Sequence, residues 1–366
     1  MNQLAEETSF VGGALAIVDA EGIHYAEGFG YADQAAARKY TATTVQPIAS
    51  VSKTLAGVAL MQAQQMGLLD LDDPINNHLP FEIVNPHVPG SPITIRHLAS
   101  HTSGISDVKG NESSYIFSTI DEDFHKQFSL GIRRFVIRRT MGRLAKNVDK
   151  SMAEFISDFY VTTGANYSKK NFTKHAAGGA FHYSNNNTAI AALILEQAAG
   201  VDYSTFVATH ILHPLGLQNA SWSTSDFNTQ EKSLLYFGGF RLPEYKLITY
   251  PDGGFNTTLL DFSTYFISMI QGYQGTPSIL SAESFREMFA RQINDDFGAG
   301  IFWELYDEEV GHAGGDPGVR VYAHFSRSSG KGHIVFLNTS ETRKFDKDMD
   351  RLWQTLDKYS ALIRPE

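Results

Sequence analysis

Ser50 and Lys53 stand three residues apart at the head of an apolar, helix-forming run, Thr54 to Gln64. On a helix, positions i and i+3 share a face, so the lysine amine can reach the serine hydroxyl. A serine hydroxyl is a weak nucleophile until a base takes its proton, and a lysine with a lowered pKa can be that base. The helix N-terminus adds backbone N–H groups and partial positive charge for a developing oxyanion. The pair therefore predicts acyl transfer through a serine ester. Spacing alone does not single it out. Ser328 and Lys331 repeat it in what reads as a glycine-rich hairpin turn, and a serine before a helix is otherwise a plain N-cap.

Two further groups could complete the chemistry. Tyr183, Ser184 and Asn185 form a Tyr-x-Asn just ahead of a helical run that starts near Thr188. A phenol with a lowered pKa can act as base or proton relay, and an amide can position a substrate carbonyl or the lysine. Read alone, the segment is an Asn-rich helix cap. His312 lies in Gly311 to Gly315, just before Asp316, Pro317 and Gly318 and a strand that begins at Val319. Small residues such as Gly314 and Gly315 let a substrate lie along a strand edge and leave a backbone N–H free for an oxyanion. Read alone, this is a turn with a surface histidine.

The elements that must position these residues come from both ends of the chain. Ala14 to Asp19 and Ile23 to Phe29 read as a hairpin around Ala20 to Gly22. Val319 to Ser326 and His333 to Asn338 read as another around Ser329 to Gly332, and a helix follows from about Asp346 to Ile363. Between them, Ala153 to Tyr160, Thr188 to Ala199 and Leu260 to Ile270 carry helical spacing. The terminal strands must hide an apolar face against each other and nearby helices. The expected fold is α+β: an antiparallel sheet formed from both chain ends and flanked by helices, with an inserted, mostly helical lobe. The sheet lobe is expected at 1–75 and 285–366, the helical lobe at 76–284 with an insertion at about 107–178, and the site between them.

The order Ser-x-x-Lys, Tyr-x-Asn and then a basic residue–x–Gly strand resembles the serine β-lactamase and penicillin-binding protein superfamily. The segments Ile93 to Ile105 and Asp252 to Asp261 look like landmarks of its class C-like branch. The resemblance implies that Ser50 is acylated, that Lys53 is its main proton acceptor and that Tyr183 shares acid and base roles. It implies that Asn185 positions substrate or Lys53, and that the N–H groups of Ser50 and Gly315 form the oxyanion hole. His312 departs from the Lys-Thr-Gly of true β-lactamases. A lysine there offers a permanent charge to a carboxylate, whereas histidine is mostly neutral near pH 7. The expected activity is thus a serine hydrolase working through an acyl-enzyme on a small ester, amide or peptide, of the esterase or D-amino-acid peptidase type. The alternatives are a β-lactamase or D-Ala-D-Ala carboxypeptidase, and a penicillin-binding sensor that does not turn over.

Composition sets the bounds. The 366 residues are 42% hydrophobic and 19% charged, with a net charge of -10 and no cysteine. That balance fits a globular chain with a large core, argues against nucleic acid as a partner, and excludes disulfides and a cysteine nucleophile. No cofactor and no metal are expected. His97 and His101 have i,i+4 spacing but lack the intervening glutamate of a zincin. Neither Gly-x-Ser-x-Gly nor a phosphate-binding glycine loop occurs. No signal peptide or transmembrane run is visible, so the chain reads as cytoplasmic, or as exported if its start was trimmed. A basic run carries Arg133, Arg134, Arg138, Arg139, Arg143 and Lys146. It reads first as a surface helix with paired charges, and second as a lid in weak contact with anionic substrates or surfaces.

Overall fold

The computed structural model describes residues 2–107, 111–118, 142–293, 298–340 and 344–360. The main strands are β1 (Gly12–Asp19), β2 (Gly22–Asp33), β3 (Arg38–Lys39), β4 (Glu304–Leu305), β5 (Glu309–Asp316), β6 (Val319–Ser326) and β7 (Gly332–Leu337). They form one seven-stranded sheet in the order β4-β5-β6-β7-β1-β2-β3. Every pairing in it is antiparallel. The two chain ends meet at the centre, where β1 pairs β7 with Gly13 opposite Leu337 and Val18 opposite Gly332.

Alternation along β1 explains why both faces must be covered. Ala14, Ala16 and Val18 enter the main core, whereas Leu15 and Ile17 enter a second cluster on the other face. The principal helices are α1 (Lys53–Gln65), α2 (Ile95–Ala99), α3 (Met152–Tyr160), α4 (Asn185–Ala199), α5 (Leu259–Tyr273) and α6 (Phe345–Ser360). Helix α5 covers the main-core face, with Phe262 packed on Phe336 and Phe266 on Phe325. Helix α6 covers the other with Met349, Leu352 and Leu356. It carries apolar residues on one side only, as its i, i+3, i+7 spacing requires.

Helices α1 and α4 are buried almost all round. Helices buried on nearly every side belong to the interior, and the two pack against each other. Their N-terminal ends carry the Ser50 and Tyr183 segments. Strand β5 packs against the turn that precedes α1. The segment from Gly311 to Asp316, expected as a turn leading into a strand, is itself strand: eight consecutive pairings with β6 run from Glu309–Ser326 to Asp316–Val319. At Gly314 the backbone of the Ser50 turn occupies the space that a side chain would need.

Candidate active site

Ser50 lies in a 3-10 turn, Ala49–Ser52, one turn ahead of α1 rather than in its first α-helical turn. Ala49, directly before it, holds φ at 48°, in the left-handed region. For a residue with a Cβ that conformation costs on the order of 1–2 kcal/mol, so the packing around the turn must impose it. Lys53 is the first residue of α1 and is fully buried. Its Nζ donates to Ser50 Oγ at 3.0 Å and to the Asp252 backbone carbonyl at 2.5 Å. The i,i+3 reach expected from the spacing is thus met, with the helix starting at the lysine.

Tyr183 arrives from α4. Ser184 is the N-cap of that helix, and Asp107 satisfies its orphan N–H groups from a distant loop. Asp107 accepts from Ser184 Oγ at 2.6 Å, from the Asn185 backbone N–H at 2.5 Å and from Asn186 Nδ2 at 2.9 Å. A carboxylate at a helix N-terminus is favoured by the dipole as well as by these bonds. Helix α4 therefore starts at Asn185, three residues earlier than its apolar spacing suggests. Tyr183 is 37% exposed to the cleft. Its enclosed hydroxyl lies within hydrogen-bonding reach of both Ser50 and Lys53. The Lys53 ammonium sits 5.3 Å from the ring centre. On the other side the His101 ring lies 4.5 Å away, between centroids.

Strand β5 closes the site. Gly311 pairs with Glu304 of β4, and the Ala313 N–H points to Glu304 Oε2 at 3.3 Å. Strand N–H groups alternate in direction, so Gly315, two residues on, directs its own N–H to the same edge, beyond the end of β4. Gly314 is the glycine that the geometry requires. A Cβ there would lie 2.7 Å from the Ile48 carbonyl oxygen and 3.0 Å from the Ser50 nitrogen. At Gly315 the nearest atoms it would meet belong to the Arg320 guanidinium, the far end of a flexible side chain. His312 is 2% exposed and leans on the Glu304 carboxylate, with 3.6 Å between Nδ1 and Oε1.

The electrostatics set the resting protonation of the site. Lys53 is held above its usual value rather than below it. Burial pulls it down, and Tyr183, Asp252 and Asp316 together push it up by more. Tyr183 is raised as well: burial outweighs the pull of Lys53 and of the bond to Ser50. At rest the site thus holds an ammonium, a phenol and an alcohol. Burial also lifts the Asp252 carboxyl to about 7 and Asp316 to about 6, even with Lys53 nearby. His312 is lowered by burial despite Glu304, which keeps the ring neutral at pH 7.

Of the residues singled out in the sequence, the structure brings Ser50, Lys53 and Tyr183 together and sets Gly314 against the Ser50 turn. Asn185 opens α4 beside them. His97 and His101 do not share a helix face, because α2 ends at Ala99 and His101 has φ 56°. His97 Nδ1 accepts the Thr94 N–H in a capping box, while His101 Nδ1 accepts from Asn187 at 3.2 Å. Arg133, Arg134, Arg138 and Arg139 lie outside the described residues. Arg143, which is described, pairs with Glu112 at 2.6 Å. Sequence reasoning missed Asp107, Glu304 and the Asp252 carbonyl. The one local signal for Glu304 was an acid set between Trp303 and Leu305 in an apolar stretch. A separate cavity of about 760 Å³ is walled by Pro47, Trp222, Leu247, Tyr250 and Gly253, among others, and none of Ser50, Lys53, Tyr183 or His312 lines it. The convergent polar groups, rather than the larger space, mark the candidate site. Among the described residues, no helix is long and apolar enough to cross a membrane.

A family model described as Beta-lactamase matches residues 1–357. The chain belongs to the Beta-lactamase family. It is similar to PbpX of Bacillus subtilis (strain 168), with 23% identity over 96% of this chain and 76% of PbpX. It is 28% identical to Penicillin-binding protein 4* of the same organism over 58% of this chain, but that match spans only 38% of the relative. Among solved structures, an octameric penicillin-binding protein homologue from Pyrococcus abyssi aligns with a TM-score of 0.73 at 23% identity, over 92% of this chain and 72% of that one. A D-amino acid amidase from Ochrobactrum anthropi SV3 aligns with a TM-score of 0.68 at 18% identity, over 98% and 96%. At these identities the structural matches establish the fold: α+β, with the antiparallel sheet seen here. The family is one of serine hydrolases.

Proposed function

We propose that this member of the Beta-lactamase family is a serine hydrolase that cleaves a small ester or amide through an acyl-enzyme on Ser50. The observation that carries the reading is the 3.0 Å contact between Lys53 Nζ and Ser50 Oγ, with the Tyr183 hydroxyl in reach of both. In the minor form in which the Lys53–Tyr183 pair has given up one proton to solvent, Ser50 Oγ attacks the substrate carbonyl carbon as its own proton passes to that pair. The oxyanion collects at the N–H groups of Ser50 and Gly315. The leaving alcohol or amine takes the proton back, and water then cleaves the acyl-Ser50 ester by the same relay in reverse. Asn185 lies at the start of α4, where its amide would orient the substrate.

His312 directs the choice of substrate. A neutral, buried ring offers no fixed charge to the carboxylate of a penicillin or a peptide C-terminus. That favours acyl esters and D-amino-acid amides over β-lactams as substrates. The D-amino acid amidase among the structural neighbours supports the amide arm.

The test is to incubate the full chain with a fluorophosphonate and with a fluorescent penicillin, and to follow covalent mass on Ser50 beside a panel of acyl esters, D-amino-acid amides and a chromogenic cephalosporin. Labelling with turnover of the panel supports the hydrolase. Labelling that is never released identifies a penicillin-binding sensor, and a folded protein without label rejects both.

A further inference from the structure

Behind His312 lies a buried polar network that the acyl-transfer scheme leaves unused. Glu304, on the short strand β4, has a side chain only 13% exposed. Its carboxylate is 3.6 Å from His312 Nδ1 and 3.6 Å from His324 Nε2. It also receives the Tyr306 hydroxyl at 3.1 Å and the Ala313 N–H at 3.3 Å. A buried carboxylate must be matched by donors to remain charged, and this one has them on several sides. Burial pushes it up, but His312 and His324 hold it below the ordinary carboxylate range.

The surroundings of His312 Nδ1 decide which ring nitrogen carries the proton. Its neighbours are the Ala313 carbonyl oxygen at 2.7 Å and Glu304 Oε1 at 3.6 Å, and both are acceptors. Nδ1 must therefore be the N–H, and in the neutral ring Nε2 is left as a lone-pair acceptor. The other groups acting on the ring do not reverse this. Lys53 and His324 disfavour a second proton. His101 couples to it as a like charge only when both are protonated, and Tyr183 stands 6.4 Å away between ring centres.

We infer that Glu304 is a positioning residue that, together with the Ala313 carbonyl, holds the His312 tautomer, so that Nε2 is left as a hydrogen-bond acceptor and selects substrates carrying an N–H or O–H donor at that end. This deepens the hydrolase reading and rests on it only for its kinetic consequence. A Lys at the same place presents donors and charge to a carboxylate. A His held in this way presents the opposite: it welcomes an amide, ammonium or hydroxyl and leaves a carboxylate without a partner. Glu304 acts at one remove, through the ring.

The experiment is a two-bond ¹⁵N–¹H correlation spectrum of the full chain labelled in histidine, with His312 assigned by the signal lost in His312→Gln. At pH 8 the expected pattern is protonated Nδ1 and bare Nε2 in the wild type; a protonated Nε2 overturns the proposal. In Glu304→Gln the anionic neighbour is gone, so the His312 titration moves to lower pH. The kcat/KM preference for an amide-bearing ester over its carboxylate analogue also falls, by about tenfold or more, as expected for one lost hydrogen bond. An unchanged titration with an unchanged preference in folded Glu304→Gln overturns the proposal. Should that variant not fold, Glu304→Asp, which keeps the charge but withdraws it by one methylene, takes its place, and the same two readouts decide. The tautomer is read without turnover, so an Nδ1–H ring on a protein that never acylates Ser50 counts against the hydrolase reading and not against this one.

Discussion

Lys53 donates at once to the Ser50 hydroxyl and to the backbone carbonyl of Asp252, which lies 199 residues further along the chain. The carbonyl takes one ammonium hydrogen and aims another at Oγ, so the long side chain is held by two points rather than one. Substituting Lys53 by Met keeps the volume and removes both bonds. The second-order rate of fluorophosphonate labelling is expected to fall by about 10²–10⁴-fold, the usual share of a general base, with the fold intact by circular dichroism. Ser50→Ala should abolish labelling altogether. A Lys53→Met protein that labels at the wild-type rate would remove lysine from the mechanism.

Because Lys53 is held above its usual value, its free amine exists at neutral pH only as a minor species. Each pH unit below its pKa cuts the deprotonated fraction tenfold, so labelling should climb through pH 8 and 9 rather than level off near 7. Asp252 is among the groups that raise Lys53. Asp252→Asn keeps the carbonyl that holds Nζ and deletes that charge. The alkaline limb is therefore expected to move to lower pH, with faster labelling at pH 7. A pH–rate series on both proteins checks the direction, and a limb that stays put would mean that another group titrates.

Much of this site could be read from the chain because its catalytic candidates are short-range motifs. Ser50 and Lys53 are one turn apart, Tyr183 precedes a helix start, and the terminal strands alternate cleanly. Their supports could not be read. Asp107 caps α4 from 78 residues away, and Glu304 reaches His312 only because β4 and β5 fold onto each other. The pKa directions of Lys53 and Tyr183 are not legible in the chain for the same reason. For Lys53, burial opposes Tyr183, Asp252 and Asp316, and the winner depends on distances that spacing does not fix. Strand β5 was hidden by its glycines, which suit the backbone of the Ser50 turn rather than any local preference.

Asp107 tests how far Tyr183 depends on its helix. Asp107→Ala strips acceptors from Ser184, Asn185 and Asn186 together. Loss of a charged cap is expected to destabilise the fold by about 1–3 kcal/mol, a few degrees in Tm for a chain of this size. Since Tyr183 is two residues before the first helical residue, labelling should slow as well, at a temperature where the variant is still folded. Normal labelling with a lowered Tm would assign Asp107 to stability alone.

Gly314 and Gly315 separate sterics from oxyanion chemistry. Gly314→Ala drives a Cβ into the backbone of Ile48 and Ser50, which cannot yield without moving Ser50. A cost of about 1–3 kcal/mol and a severe loss of labelling are expected. Gly315→Ala asks only the Arg320 guanidinium to swing aside and keeps the N–H, so stability should stay near wild type. Thermal melts of the two variants side by side would reveal an equal penalty if the close approach of β5 to the Ser50 turn were not real.

His312→Lys asks whether one side chain separates ester and amide substrates from β-lactams. The site is buried and Glu304 is already in place as a counter-ion, so the new ammonium should remain charged at pH 7. It would then offer a charged hydrogen bond to the carboxylate of a cephalosporin, an interaction of about 1.5–3 kcal/mol. In rate terms that is about a tenfold to hundredfold faster acylation of Ser50 by the cephalosporin. The donor-bearing amides should lose activity in the same variant, because their acceptor at Nε2 is gone. Measuring both acylation rates on one preparation gives the answer as a ratio. If the ratio fails to move towards the cephalosporin in a folded His312→Lys protein, the carboxylate is not what the wild-type cleft rejects.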